Sequence, residues 1–416
     1  MNFSLFGKKF TRHAGITQLM DDLNEGLRTP GAIMLGGGNP AHIPEMDSYF
    51  KQLCQDMLEQ GKLTEALCNY DGPQGKDTLL KALAELLSNE LGWQIGPQNI
   101  ALTNGSQSAF FYLFNLFAGR HSDGSLKKVL FPLAPEYIGY SDSGLDDNMF
   151  VSVRPQIELL PEGQFKYHVD FDHLSITDEI GLVCVSRPTN PTGNVLTDDE
   201  LMRLDILAQQ HNIPLLIDNA YGVPFPGIIF SDATPLWNPN IILCMSLSKL
   251  GLPGSRCGIV IADEKVISAI GNMNGIISLS PGAIGPALAH EMIQRGDLLR
   301  LSNDVVRPFY QQRVTETIAI IRRYLSPEQC LIHKPEGAIF LWLWFKDLPI
   351  TTEILYQRLK KRGVLMVPGH YFFPGLDQDW PHAHQCMRMN YVPEPEKIER
   401  GIAILAEEVE KAMQEG

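Results

Sequence analysis

Lys249 stands in the stretch SLSKLGLPGSR, residues 246–256, directly after the apolar run IILCMS, which reads as a strand. A lysine at the end of a buried strand, with Ser246 and Ser248 before it and Arg256 after it, is poorly placed as a surface charge. A buried ammonium is costly unless it is paired, deprotonated or covalently bound. A Schiff base to an aldehyde cofactor removes that cost and turns the amine into a reagent. Ser246 and Arg256 then offer hydrogen bonds and charge to a phosphate group. Read alone, the same lysine serves equally as the start of a helix.

Three upstream segments supply what a phosphorylated pyridine aldehyde needs. In TNGSQSAF, Ser106 and Gln107 lie where a strand gives way to a helix, so backbone N–H groups and the helix dipole face an anion. In SRPTNPTGN, Asn190 can donate to a ring oxygen while Pro191 and Gly193 shape the turn. LLIDNAY ends a strand on Asp218, a carboxylate that a buried strand end tolerates only beside a cationic partner. A protonated pyridine nitrogen is such a partner, and protonating it makes the ring an electron sink. Tyr221, three residues on, is able to hydrogen-bond the ring hydroxyl. An N-cap, a turn and a strand end are the ordinary readings of these segments taken singly. Their order along the chain is what carries the chemistry.

The elements that must position these residues are legible as alternating patterns. NIALTN, KVLFPLA, IGLVCVS, IPLLIDN, NIILCMS and GIVIAD read as strands, with SQSAFFYLFNLFAG and DDELMRLDILAQQH as helices between them. That alternation predicts an α/β fold with a mainly parallel sheet sandwiched by helices, and ligands then sit beyond the carboxyl ends of the strands. After about residue 300 the pattern becomes a long helix (303–324), the strand AIFLWLWF, a helix at 352–362, VLMVPG, CMRMNYV and a charged final helix. The expected division is an N-terminal arm over 1–45, a large cofactor-binding domain over 46–300 and a smaller α+β domain over 301–416.

Composition narrows the function classes. The 416 residues carry a net charge of −14, which argues against nucleic acid or an anionic membrane as the main partner. AIFLWLWF is too short to span a bilayer, and MNFSLFGKKFTRHAG lacks the features of a signal peptide. Seven scattered cysteines without a C-x-x-C pair fit reduced thiols, and a cytoplasmic location is expected. His382 and His384 form an H-x-H with no further ligand pattern around it, so no metal site is expected.

In these motifs the chain resembles a fold-type I, pyridoxal-phosphate-dependent aminotransferase of the aspartate aminotransferase superfamily, over essentially its whole length. The resemblance implies pyridoxal 5'-phosphate as cofactor, with Lys249 both forming the aldimine and moving the substrate proton. It implies Asp218 against the pyridine nitrogen, Asn190 and Tyr221 at the ring oxygen, and Ser106, Gln107, Ser246 and Arg256 at the phosphate. Tyr137, in PEYIGY, matches an aromatic that stacks on the ring. Tyr70, in NYDGPQG, matches a tyrosine that reaches the neighbouring subunit's site and so implies a homodimer. Arg388, in R-M-N, matches the grip on the substrate α-carboxylate, and Gly38, in LGGGNP, belongs to an arm that closes over substrate.

Relatives acting on dicarboxylates often bring a second arginine into the segment NGIISLSPGAIGPALAH, yet no arginine occurs between Arg256 and Arg295. A neutral or apolar side-chain pocket is therefore expected, with Ile33, Tyr112 and residues near Tyr371 as candidate liners. Longer stretches such as IMLGGGNPAHIPEM, FPLAPEYIGY and IDNAYGVPFPGIIF resemble bacterial members that move the amino group of L-valine to pyruvate. That implies 3-methyl-2-oxobutanoate and L-alanine as products, by a ping-pong path. Transamination of other neutral amino acids and β-elimination remain alternatives, because these motifs are shared. A transcription regulator with an aminotransferase-like domain is disfavoured by the charge and by the lack of a helix-turn-helix pattern in the first ~45 residues.

Overall fold

The computed structural model describes residues 2–11, 31–377 and 379–415; part of the expected N-terminal arm, residues 12–30, lies outside them. The larger sheet runs through Ile100–Asn104, Cys257–Ile261, Ile241–Ser246, Leu215–Asp218, Ile180–Ser186, Leu126–Phe131 and Gly119–Arg120, and Phe150–Ser152 pairs with Leu126–Phe131. The four strands from Ile241–Ser246 to Leu126–Phe131 are parallel neighbours, whereas Cys257–Ile261 is antiparallel to both of its partners. All six strands expected from the apolar runs form.

These strands are apolar without alternation because both faces are covered. Leu182, Cys184, Leu216 and Ile242 pack with Phe110 and Phe114 of the helix Ser106–Phe117 on one face. Val183, Val185, Ile217 and Leu243 share the other core with Leu201 and Leu204 of the helix Asp198–Gln210. That second helix starts on a reciprocal cap: Thr197 Oγ1 accepts from Glu200 N at 3.1 Å and Glu200 Oε2 accepts from Thr197 N at 2.9 Å.

The second sheet runs in the order Val367–Pro368, Cys386–Asn390, Phe340–Trp344, Leu331–His333, Gln164–His168 and Gln156–Leu160. Its last two strands form a hairpin from the middle of the chain that the sequence reading did not anticipate. Gln156–Leu160 is an edge strand with mostly exposed residues, so it carries little of the apolar signal that marks the other strands. VLMVPG divides in two: Val364–Leu365 pairs with Ile33–Met34, and Val367–Pro368 joins the second sheet. The expected long helix appears as a π-helical turn, Ser302–Val306, followed by the helix Arg307–Tyr324.

A buried ion pair links the hairpin to the turn that carries Asn190. Lys166 Nζ contacts Glu336 Oε2 and donates to Asn194 Oδ1 at 2.9 Å and to the Val195 carbonyl at 3.1 Å. Removing Lys166 leaves the buried Glu336 carboxylate with only the half-exposed Lys334, 3.1 Å from its Oε1, as a cationic partner. Lys166→Met is therefore expected to lower unfolding stability by about 3 kcal/mol, measured by urea denaturation.

Candidate active site

The carboxyl ends of the parallel strands open onto a cavity of about 570 Å³. Gly38, Ser106, Gln107, Tyr137, Asn190, Asp218, Tyr221, Ser246, Lys249, Arg256 and Arg388 all line it. Tyr70 does not; it is 83% exposed. Nor do Ile33, Tyr112 or Tyr371 appear in the lining, where Met34, Ile138, Val392 and Pro393 supply apolar surface instead.

Asp218 ends its strand facing this space and is buried. Its Oδ2 accepts from Tyr140 Oη at 2.6 Å and its Oδ1 from the Ala220 N–H at 2.9 Å. Burial pushes the carboxyl pKa up, opposed by those two hydrogen bonds and by the charge on Lys249.

Three cations converge on the same cavity. Lys249 follows Ile241–Ser246 in a short 3₁₀ turn, and its Nζ donates to the Gly38 carbonyl at 2.6 Å and lies 5.3 Å from the Tyr221 ring centre. Burial, with the charges of Arg388 and Arg256, lowers its pKa to about 8 against the pull of Asp218. Arg388 is buried, held down to about 10 by that burial, with Nη1 on Asn190 Oδ1 and Nη2 on the Gly36 carbonyl, each at 2.7 Å. Its guanidinium lies over Phe340 at 4.2 Å, and its buried Nε–H has no partner among the described residues. Arg256 completes the set.

Arg256 also explains a glycine. Gly105 caps the helix Ser106–Phe117 at φ 82°, and a Cβ there would stand 2.0 Å from Arg256 Nη2. The guanidinium thus lies across the start of a 12-residue helix whose first residues, Ser106 and Gln107, line the cavity. Helix dipole, free N–H groups and a guanidinium together make an anion cradle. Ser246 Oγ, 2.9 Å from Ser248 Oγ, lines the cavity as well. These groups fit a phosphate, and Asp218 with Lys249 fits a protonated ring and an aldehyde.

The family model for aminotransferase class I and II matches residues 45–405. This chain belongs to the class I and II aminotransferases. It is 78% identical over 415 residues to the valine–pyruvate aminotransferase of Escherichia coli (strain K12), covering 100% of both chains. The crystal structure of valine–pyruvate aminotransferase from Salmonella typhimurium LT2 superposes with a TM-score of 0.91 at 76% identity, over 97% of this chain and 100% of that one. An aspartate aminotransferase mutant of Thermus thermophilus, at 22% identity and a TM-score of 0.77, covers 98% of this chain and 100% of its own, and shares the fold. The fold of this aminotransferase is thus the one its sequence led us to expect.

Sequence reasoning missed several parts of this aminotransferase's site. Tyr140 was visible as the last residue of PEYIGY, yet nothing local says that it bonds to Asp218. Asn390, whose Nδ2 donates to the Gly37 carbonyl at 2.7 Å, stands two residues beyond Arg388 on the same strand face and could have been found by that spacing.

Proposed function

We propose that this chain is a pyridoxal-phosphate-dependent transaminase that exchanges an amino group between L-valine and pyruvate, forming 3-methyl-2-oxobutanoate and L-alanine. The observation that carries this reading is electrostatic. In a protein of net charge −14, Lys249, Arg256 and Arg388 line one cavity around the carboxylate of Asp218. Such a site suits a ligand with an anionic tail and a protonated ring, together with a substrate that brings its own carboxylate.

In this reading Ser106, Gln107, Ser246 and Arg256 hold the phosphate, and Asp218 holds the ring nitrogen. Asn190 and Tyr221 would hold the ring oxygen, and Tyr137 would pack on the ring. When bound, the cofactor supplies an aldehyde that takes up the amino group and a ring that withdraws the electron pair left at Cα. Lys249, with its lowered pKa, is the amine that accepts and returns the Cα proton. Arg388 holds the α-carboxylate in a planar two-point grip, and its spare N–H groups supply the donors. The arm at Gly36, Gly37 and Gly38, whose carbonyls bond to Arg388, Asn390 and Lys249, closes the cavity. One cavity serves both substrates in turn.

A small apolar side-chain pocket, supplied by Met34, Val392 and Pro393, suits valine and alanine alike. A methylene group contributes only ~1–3 kcal/mol to discrimination, so 2-aminobutyrate is expected to react as well. Absorption spectra of the loaded protein test the reading: L-valine should bleach the visible band and pyruvate restore it. A strong preference for glutamate over alanine as donor to 3-methyl-2-oxobutanoate would overturn the substrate assignment. β-Elimination is not favoured, since the relatives at 78% and 76% identity are valine–pyruvate aminotransferases.

The working form in this reading is a cytoplasmic homodimer, and the division into arm, large domain and small domain belongs to the same proposal. No helix among the described residues is long and apolar enough to cross a membrane. Self-association is supported by apolar surface left open: Ile276, Ile277 and Leu279 are 86%, 60% and 65% exposed, and Ile277 shares a groove with Phe10, Phe111 and Tyr112. Tyr70 lies in the same region, because Asn274 of the helix Glu264–Ser278, which also carries Ile276 and Ile277, donates to the Pro73 carbonyl at 2.8 Å. Sedimentation is expected to give twice the chain mass of 46.4 kDa.

A further inference from the structure

A second buried carboxyl stands close to Asp218, and none of the roles above uses it. Glu136 is 2% exposed and does not line the cavity. Its Oε1 accepts from the Ser186 N–H at 2.9 Å, and its Oε2 lies 2.5 Å from Ser186 Oγ. Ser186 Oγ is 3.3 Å from Tyr140 Oη, which is 2.6 Å from Asp218 Oδ2. The two carboxyls are thus the ends of one continuous chain: Glu136, Ser186, Tyr140, Asp218.

Counting hydrogens along that chain separates two states. With Glu136 ionised, Ser186 donates to Glu136 and Tyr140 to Asp218, so no hydrogen remains for the 3.3 Å step between the hydroxyls. With Glu136 protonated, every step has one donor and one acceptor, all running toward Asp218. The ionised state also places two negative charges in one dry region, which a shared buried site disfavours. No cation among the described residues forms an ion pair with Glu136. Its surroundings are Asp218, Tyr140, the Ser186 and Tyr137 N–H groups and the buried Cys184, and its own N–H donates to the Phe372 carbonyl at 2.8 Å. Burial is the main reason the Glu136 carboxyl is pushed up to about 8, with Asp218 adding to the rise.

We propose that Glu136 is a positioning residue for Asp218: as a neutral acid it donates through Ser186 Oγ and Tyr140 Oη, so that the site keeps one negative charge and keeps it on Asp218. This rests on Asp218 acting as the partner of the cofactor ring. Ionising Glu136 breaks the relay, so kcat declines as pH rises through about 8.

Infrared difference spectroscopy across that pH range, on wild type and Glu136→Gln with and without pyridoxal phosphate, tests the proposal directly. Wild type should show the carbonyl stretch of a buried carboxylic acid that disappears as pH rises, and Glu136→Gln should lack it. In the loaded enzyme Glu136→Gln, whose amide still donates, should keep kcat within about twofold and lose the alkaline decline. Ser186→Ala and Glu136→Leu should lower kcat roughly tenfold with little change in the KM for L-valine. An unchanged carbonyl band in Glu136→Gln overturns the proposal, as does a loss in Glu136→Gln equal to that in Glu136→Leu. The infrared signal does not depend on turnover, so failure of the substrate assignment leaves this test intact.

Discussion

Lys249→Met is expected to lower kcat by roughly 10⁴-fold or more while leaving the Tm of the cofactor-free protein no lower at pH 7. The two effects share one cause. Lys249 faces a cavity that already holds Arg256 and Arg388, and burial with those charges takes its pKa from 10.5 to about 8. Between those two pH values the unfolded chain binds more protons at this position than the folded chain. Stability contributed here is therefore lost as pH falls through that window, and a neutral side chain removes the penalty. Methionine fills similar space without a charge and without an amine to accept the Cα proton. Thermal scans at pH 7 and at a pH above the window, run beside single-turnover assays with L-valine, check both halves. A large drop in Tm for Lys249→Met would mean that the lysine supports the fold and is not a strained reagent.

Arg388→Lys is expected to lower kcat/KM for L-valine roughly 100-fold, chiefly through KM, although charge is conserved. The guanidinium spans two fixed acceptors, Asn190 Oδ1 and the Gly36 carbonyl, and its Cζ lies 4.2 Å from the centre of the Phe340 ring. A lysine ammonium is a point donor and cannot reach both acceptors and present two parallel N–H groups to a carboxylate. The loosened Gly36 carbonyl also frees the arm, whose next residues bond to Asn390 and Lys249. Steady-state kinetics with L-valine and with L-alanine should show similar losses, since both share the α-carboxylate. A loss confined to valine would place Arg388 at the side-chain pocket instead.

Much of this protein was legible because its costly residues sit at conspicuous places. Lys249 and Asp218 each end a run of apolar residues, where an unpaired charge is hard to accommodate, and the runs themselves announce strands buried on both faces. The Gln156–Leu160 hairpin strand was not legible, because exposure at the sheet edge removes the apolar pattern. Tyr70 was legible as a motif, but the single chain leaves it in solvent, outside the cavity.

The alternating α/β plan, the order of the cofactor-type motifs and the absence of an arginine between Arg256 and Arg295 follow from the order of the amino acids alone. Those are properties of local pattern, set by strand and helix periodicity and by the cost of burying charge. The meeting of Arg388 with Asn190 and Gly36, the position of Arg256 across Gly105 and the connection of Glu136 to Asp218 through two hydroxyls arise from the folded chain. Hydrogen bonds need donor and acceptor placed to within tenths of an ångström. That placement comes from the packing of elements distant in the chain, to which no local pattern refers.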